Sequence, residues 1–93
     1  MKNLATYKND ICLIAGSGLF VNEVANYLNF KKLLGQIIII NENNSLKKNF
    51  KNNYVQFNIK NLEKIITFIK SKNIRKIIII GYVELPPLNK INL

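Results

Sequence analysis

Five small or apolar residues, Ile11-Cys12-Leu13-Ile14-Ala15, run straight into Gly16-Ser17-Gly18, and an amphipathic segment comes at once after them. That order reads as a buried strand, a tight turn and the start of a helix. Glycines in such a turn accept positive φ and admit another group close to the backbone. A helix opening beyond it aims unpaired N–H groups and the positive dipole end at whatever sits above the turn. Phosphates are the usual occupant. A dinucleotide fingerprint would read G-x-G-x-x-G, and its third glycine is replaced here by Val21. From the residues alone, a nucleotide-binding turn and a merely structural turn both stay open. Glu42, near the end of the second apolar run, stands where an acidic residue would meet a ribose.

The rest of the chain repeats the alternation. Residues 19–30 carry Val21, Val24, Ala25 and Leu28 at helical spacing, so this stretch is expected to be the first helix. Lys31 and Lys32 suit its C-terminal end, and Gly35 is placed to close it. Residues 36–41 form the second expected strand, whose four isoleucines suggest burial on both faces of a parallel sheet. The Asn- and Lys-rich residues 42–53 read as a loop, with a short helical turn about 46–50. Residues 54–57 give a short third strand, and Asn61 is the expected N-cap of a second helix reaching Lys72. Its apolar stripe is Leu62, Ile65, Ile66 and Ile69. Lys76–Ile80 is the fourth strand, again with four isoleucines, before Gly81-Tyr82-Val83-Glu84-Leu85-Pro86-Pro87 turns into an extended segment.

The pattern β-α-β-β-α-β predicts an α/β fold, a Rossmann-like parallel sheet with flanking helices and right-handed crossovers. Residues 1–10 read as a polar lead-in, 11–83 as the domain, and 84–93 as the start of a further connection. In such sheets ligands bind beyond the C-terminal strand ends. Both glycine turns, at Gly16–Gly18 and at Gly81, fall there.

A chain of 93 residues makes one domain, and a hydrophobic content of 48% argues for a packed globule against disorder. Its apolar runs fall far short of the ~20 residues of a membrane span, and the polar start does not look like a secretory leader. A lone cysteine fits a reducing compartment, so the chain is expected to be cytoplasmic. The net charge of +9 invites a nucleic-acid reading. Lys, Asn and Ile, all of AT-rich codons, make up nearly half of the chain, and the lysines are scattered along it without an aromatic-plus-basic RNA motif. The expectation is therefore no nucleic-acid partner, and a weak attraction to an anionic membrane face.

The catalytic inventory is thin. There is no His, and the carboxylates Asp10, Glu23, Glu42, Glu63 and Glu84 are too dispersed to form a local metal cluster. Cys12 reads as a small core residue. Ser17 sits on the turn itself without an identifiable base, so hydrogen bonding to a ligand suits it better than nucleophilic attack.

These residues, in this order, resemble the N-terminal domain of the LpxI-type UDP-2,3-diacylglucosamine pyrophosphatases of lipid A synthesis. The resemblance begins at Ile11. The stretch Ile11 to Gly18 is similar to that family's opening LIAG-x-G strand and turn, and Leu19-Phe20 fills the hydrophobic positions after it. Val55-Gln56-Phe57-Asn58-Ile59-Lys60-Asn61 resembles a strand followed by G-x-x-G and a helix. Gly81-Tyr82-Val83-Glu84-Leu85-Pro86-Pro87-Leu88 resembles AG-x-V-x-R-P-x-L, and residues 89–93 resemble the start of the family's next segment. The departures are Val21 for proline, Asn58 and Asn61 for glycines, and Leu85 for arginine.

The resemblance implies hydrolysis of UDP-2,3-diacylglucosamine to lipid X and UMP, by water attack at the α-phosphoryl with Mg2+ in the full-length enzymes. It also implies a C-terminal domain carrying the catalytic acid, here missing or separately encoded, so the 93-residue chain alone is expected to be inactive. The implied substrate-binding residues are Gly16, Ser17, Gly18, Leu19, Gly81, Tyr82, Val83 and Glu84, and no catalytic residue, cofactor or metal is assigned to the chain itself. The implied partners are the UDP-linked diacyl sugar or its lipid product, and the implied location is the cytoplasm or the inner-membrane surface. A free-standing nucleotide-binding module and a decayed remnant are the competing readings.

Overall fold

The computed structural model describes residues 9–51 and 53–83. The elements run β1 (Ile11–Ala15), α1 (Val21–Phe30), β2 (Leu34–Ile40), α2 (Asn44–Phe50), β3 (Val55–Phe57), a 3-10 turn (Ile59–Asn61), α3 (Leu62–Ser71) and β4 (Lys76–Ile80). All strands are parallel, in the order β3-β2-β1-β4. The Rossmann-like α/β expectation is met. The element pattern differs by α2, because Asn43 accepts a 2.9 Å bond from the Leu46 N–H and caps two turns instead of one.

The sheet has a core on each face. Leu13 and Ala15 of β1 and Ile37 and Ile39 of β2 meet Val21, Ala25 and Leu28 of α1 and Leu46 of α2. Cys12, Ile38 and Ile40 meet Ile65 of α3 on the opposite face. β1 and the end of β2 are thus buried on both sides, as their unbroken apolar runs predict.

Several helix ends differ from the sequence expectation. Gly35 does not close α1; it lies within β2. Lys32 closes the helix, in the left-handed region at φ 59, with its N–H on Asn29 O and the Leu33 N–H on Leu28 O. Asn73, at φ 54, closes α3 with the same pair of bonds. At the start of α3 the side-chain cap comes from Asn58, which accepts from the Lys60 N–H, and not from Asn61. The α3 stripe is also rotated: Ile65, Phe68 and Ile69 face the sheet, while Leu62 and Ile66 are exposed.

β4 departs most from expectation. Its register pairs Ile77 with Cys12 and Ile79 with Ile14, so both point to the α3 face. Yet α3 lies over the centre of the sheet, and no described element covers β4 there, which leaves Ile79 74% exposed. Ile78 and Ile80, on the other face, do pack against the α1 core. Two isoleucine runs of identical sequence therefore have different roles. Ile38→Ala should lower stability by about 2–5 kcal/mol and Ile79→Ala by less than about 1 kcal/mol in urea titrations; equal losses would mean that β4 is covered on both faces.

Burial pushes the Cys12 thiol up to about 11 from its ordinary 9.0. The folded chain keeps that proton where the unfolded chain has lost it, so the contribution is complete below pH 9 and is lost as pH rises through about 11. Against Cys12→Ala as reference, the urea midpoint should fall more steeply with pH in the parent chain between these values. Thiol reagents at pH 8 should label Cys12 only on unfolding.

Candidate functional site

β1 and β4 end side by side, and their exits are locked together by backbone. The Gly16 N–H donates to Ile80 O at 3.0 Å. Ser17 N–H donates to Tyr82 O and Tyr82 N–H to Ser17 O, both at 2.8 Å, an antiparallel bridge at the mouth of two parallel strands. The glycines are required by this contact. A Cβ on Gly16 would lie 2.3 Å from Tyr82 O, and one on Gly81, at φ 92, would lie 2.5 Å from Ser17 O. The close approach that a glycine turn permits is made by the chain's own carbonyls.

The exit of β2 is tied to the same turn. Ser17 Oγ donates to Glu42 O at 3.1 Å, and Asn43 Nδ2 donates to Gly16 O at 2.8 Å. Asn43 thus caps α2 with one side-chain atom and holds the first turn with the other. The exit of β3 joins through Asn41, at φ 63: its N–H donates to Phe57 O at 2.7 Å, and its Oδ1 accepts from the Ile59 N–H at 2.9 Å. All four C-terminal strand ends therefore form one connected rim. Asn41 and Asn43 are rim residues that sequence reasoning misses. Their signal is an Asn directly after a strand, and an Asn three residues before a buried leucine.

A groove of about 330 Å³ opens on this rim between Ser17-Gly18 and residues 42–45. Its lining supplies hydroxyl and amide groups from Ser17, Asn43, Asn44 and Ser45, with Glu42 at the edge. The Glu42 carboxylate is ion-paired with Lys47, a contact with which a ribose would have to compete. Helix α1 starts two residues later than expected, with Phe20 at its N-cap position, no side-chain cap bond, and Glu23 in its first turn. That carboxylate complements the helix dipole and disfavours a phosphate there.

The expected site residues divide into groups. Gly16, Ser17, Gly18, Gly81 and Tyr82 come together at the β1–β4 mouth. Leu19 and Phe20 project beside them, 90% and 65% exposed, and Tyr82 is 61% exposed. Val83 is half-buried against the α3-side core. Glu84, and with it residues 84–93, lies outside the described residues. Among the described residues no group of three His, Cys, Asp or Glu could hold a metal, so these side chains do not fit a Mg2+ site.

The clamp has a measurable ranking. Gly16→Ala must displace the Tyr82 carbonyl and should lower stability by about 2–4 kcal/mol. Ser17→Ala loses one exposed hydrogen bond and should lower it by about 1 kcal/mol or less. Urea unfolding of the two variants checks the order, and a tolerated Gly16→Ala would mean that the clamp does not hold the strand exits.

No curated protein and no solved structure matches the chain. Residues 10–93 match the LpxI N-terminal domain, from the residue before β1 through the β4 exit and beyond. With that match spanning nearly the whole sequence, and the glycine turns at the strand ends of an α/β sheet, the chain belongs to the LpxI family through its N-terminal domain.

Proposed function

We propose that this chain forms the N-terminal part of the substrate cleft of a UDP-2,3-diacylglucosamine pyrophosphatase, acting in lipid A synthesis. The observation that carries the reading is the family match over residues 10–93. The rim gives it a physical form. Gly16, Ser17, Gly18 and Gly81 make a rigid polar floor, and Leu19, Phe20 and Tyr82 stand exposed along its edge. A rim of that kind suits a ligand with a polar head and an apolar tail. Val83 then supports the floor from the core side.

The reaction is hydrolysis of the pyrophosphate by water at the α-phosphoryl, which releases UMP and leaves lipid X. Mg2+ neutralises phosphate charge in this chemistry. The described residues do not fit that ion, so in this reading the metal and the catalytic acid are supplied by a C-terminal domain, contiguous or separately encoded. The role of this chain is to hold and orient the lipid-linked sugar.

The test has two arms. The purified 93-residue chain with Mg2+ should release no UMP from UDP-2,3-diacylglucosamine. Joined to an LpxI-type C-terminal domain, or mixed with one, it should release UMP, and Tyr82→Ala should raise KM. Release by the chain alone would overturn the division of labour. No release and no lipid X binding in the joined protein would overturn the assigned substrate.

A further inference from the structure

Although the lysines are scattered along the sequence, the fold gathers them. Helices α1 and α3 run against the strands, so their C-terminal ends lie at the N-terminal end of the sheet, opposite the rim. Lys31, Lys32, Lys70 and Lys72 sit at those helix ends, Arg75 precedes β4, and all five are exposed. Lys51, also exposed, comes after α2 at the same end, where Phe50 and Asn53 share a cavity with Asn29 and Gly35. The described carboxylate at this end is Asp10, 3.5 Å from Lys76. Asp10, Lys72 and Arg75 border an open hollow of about 310 Å³. The rim end is different. Among the described residues there, Lys47, Lys60 and Lys64 are matched by Glu23, Glu42 and Glu63.

An aromatic side chain marks the basic end. Phe30, the last residue of α1, is 80% exposed beside Lys31 and Lys32, and Lys31 Nζ lies 5.8 Å from the Tyr27 ring centre. We infer that this end of the sheet is a docking surface for an anionic phospholipid bilayer, with Phe30 entering the headgroup layer. Several observations favour lipid over nucleic acid. The six cations are spread over three helix ends and the start of β4 instead of lining one groove, which suits a diffuse anionic surface. Among the described residues Phe30 stacks on no other ring, so it does not begin a continuous platform for successive bases. Apolar insertion beside cations is the pattern of interfacial binding.

The surface lies at the opposite end from the rim, so its test reads vesicle binding and not the proposed reaction. Its test is flotation of the chain with vesicles of phosphatidylcholine containing 30 mol% phosphatidylglycerol, compared with pure phosphatidylcholine. Binding should require the anionic lipid and be released by high salt. Each cation near such a surface contributes about 5-fold to partitioning. Lys72→Gln with Arg75→Gln should therefore lower partitioning about 25-fold, and Phe30→Ser should lower it further. Lys60→Gln with Lys64→Gln removes the same charge from the other end and should lower it less than about 3-fold. Equal losses from the two pairs would overturn the assigned surface. Equal binding to uncharged vesicles, or tighter binding to a poly(U) oligonucleotide than to the anionic vesicles, would overturn the assigned partner.

Discussion

The reciprocal backbone bonds between Ser17 and Tyr82 fix the geometry on which the rest of the rim depends. Parallel strands normally end with their exits diverging into separate crossovers. Here the exits of β1 and β4 are drawn together until only glycine fits at positions 16 and 81. Net hydrogen-bond energies of about 0.5–1.5 kcal/mol make each bond modest. Their effect is positional. With Gly16 held, its carbonyl is available to Asn43, Asn43 is available to cap α2, and Leu46 is carried into the core against Ala15 and Ile39. A clamp between two loops thereby sets the packing of a helix.

Much of this is legible in the sequence. The bounds of β1 and β4 come from apolar runs that begin after a polar residue and end at glycine. The parallel sheet comes from strands alternating with amphipathic helices. The failures have distinct physical causes. Lys32 in the left-handed region is a local cost that Leu33 burial and two backbone bonds offset, so a lysine ends the helix while a nearby glycine joins a strand. The exposure of Ile77 and Ile79 depends on where α3 crosses the sheet, which no local pattern encodes. The double duty of Asn43 needs Gly16 and Leu46 together in space, though they are far apart in the chain. The glycine turn itself is legible as a place of close approach, but the approaching group is Tyr82.

The separation of charge between the two ends has a simple origin. Acidic side chains are favoured at helix N-termini and basic ones at C-termini, by about 0.3–1 kcal/mol each. Glu23 and Glu63 occupy the first turns of α1 and α3, and lysines come after or within their last turns. Because both helices run against the strands, the preference adds up across the sheet. The chain's lysine-rich composition then amplifies it, leaving the rim near neutral and the opposite end strongly basic.

A near-neutral rim whose strand exits bond to one another limits what can be recognised there. Polar contacts to Ser17, Asn44 or Ser45 offer about 0.5–1.5 kcal/mol each. Burying one large apolar side chain offers about 1.5–3 kcal/mol. Leu19, Phe20 and Tyr82 stand exposed on this edge, so each has apolar surface left to bury, against about 0.5–1.5 kcal/mol for fixing its rotamer. The magnitudes therefore favour a ligand, or a facing domain, that brings apolar surface to this edge over one that brings phosphate alone. A bare nucleotide would meet Glu23 and an ion-paired Glu42, and would leave the apolar edge in water. A ligand that joins an apolar part to a polar head would cover that edge and meet the rim hydroxyls and amides at once.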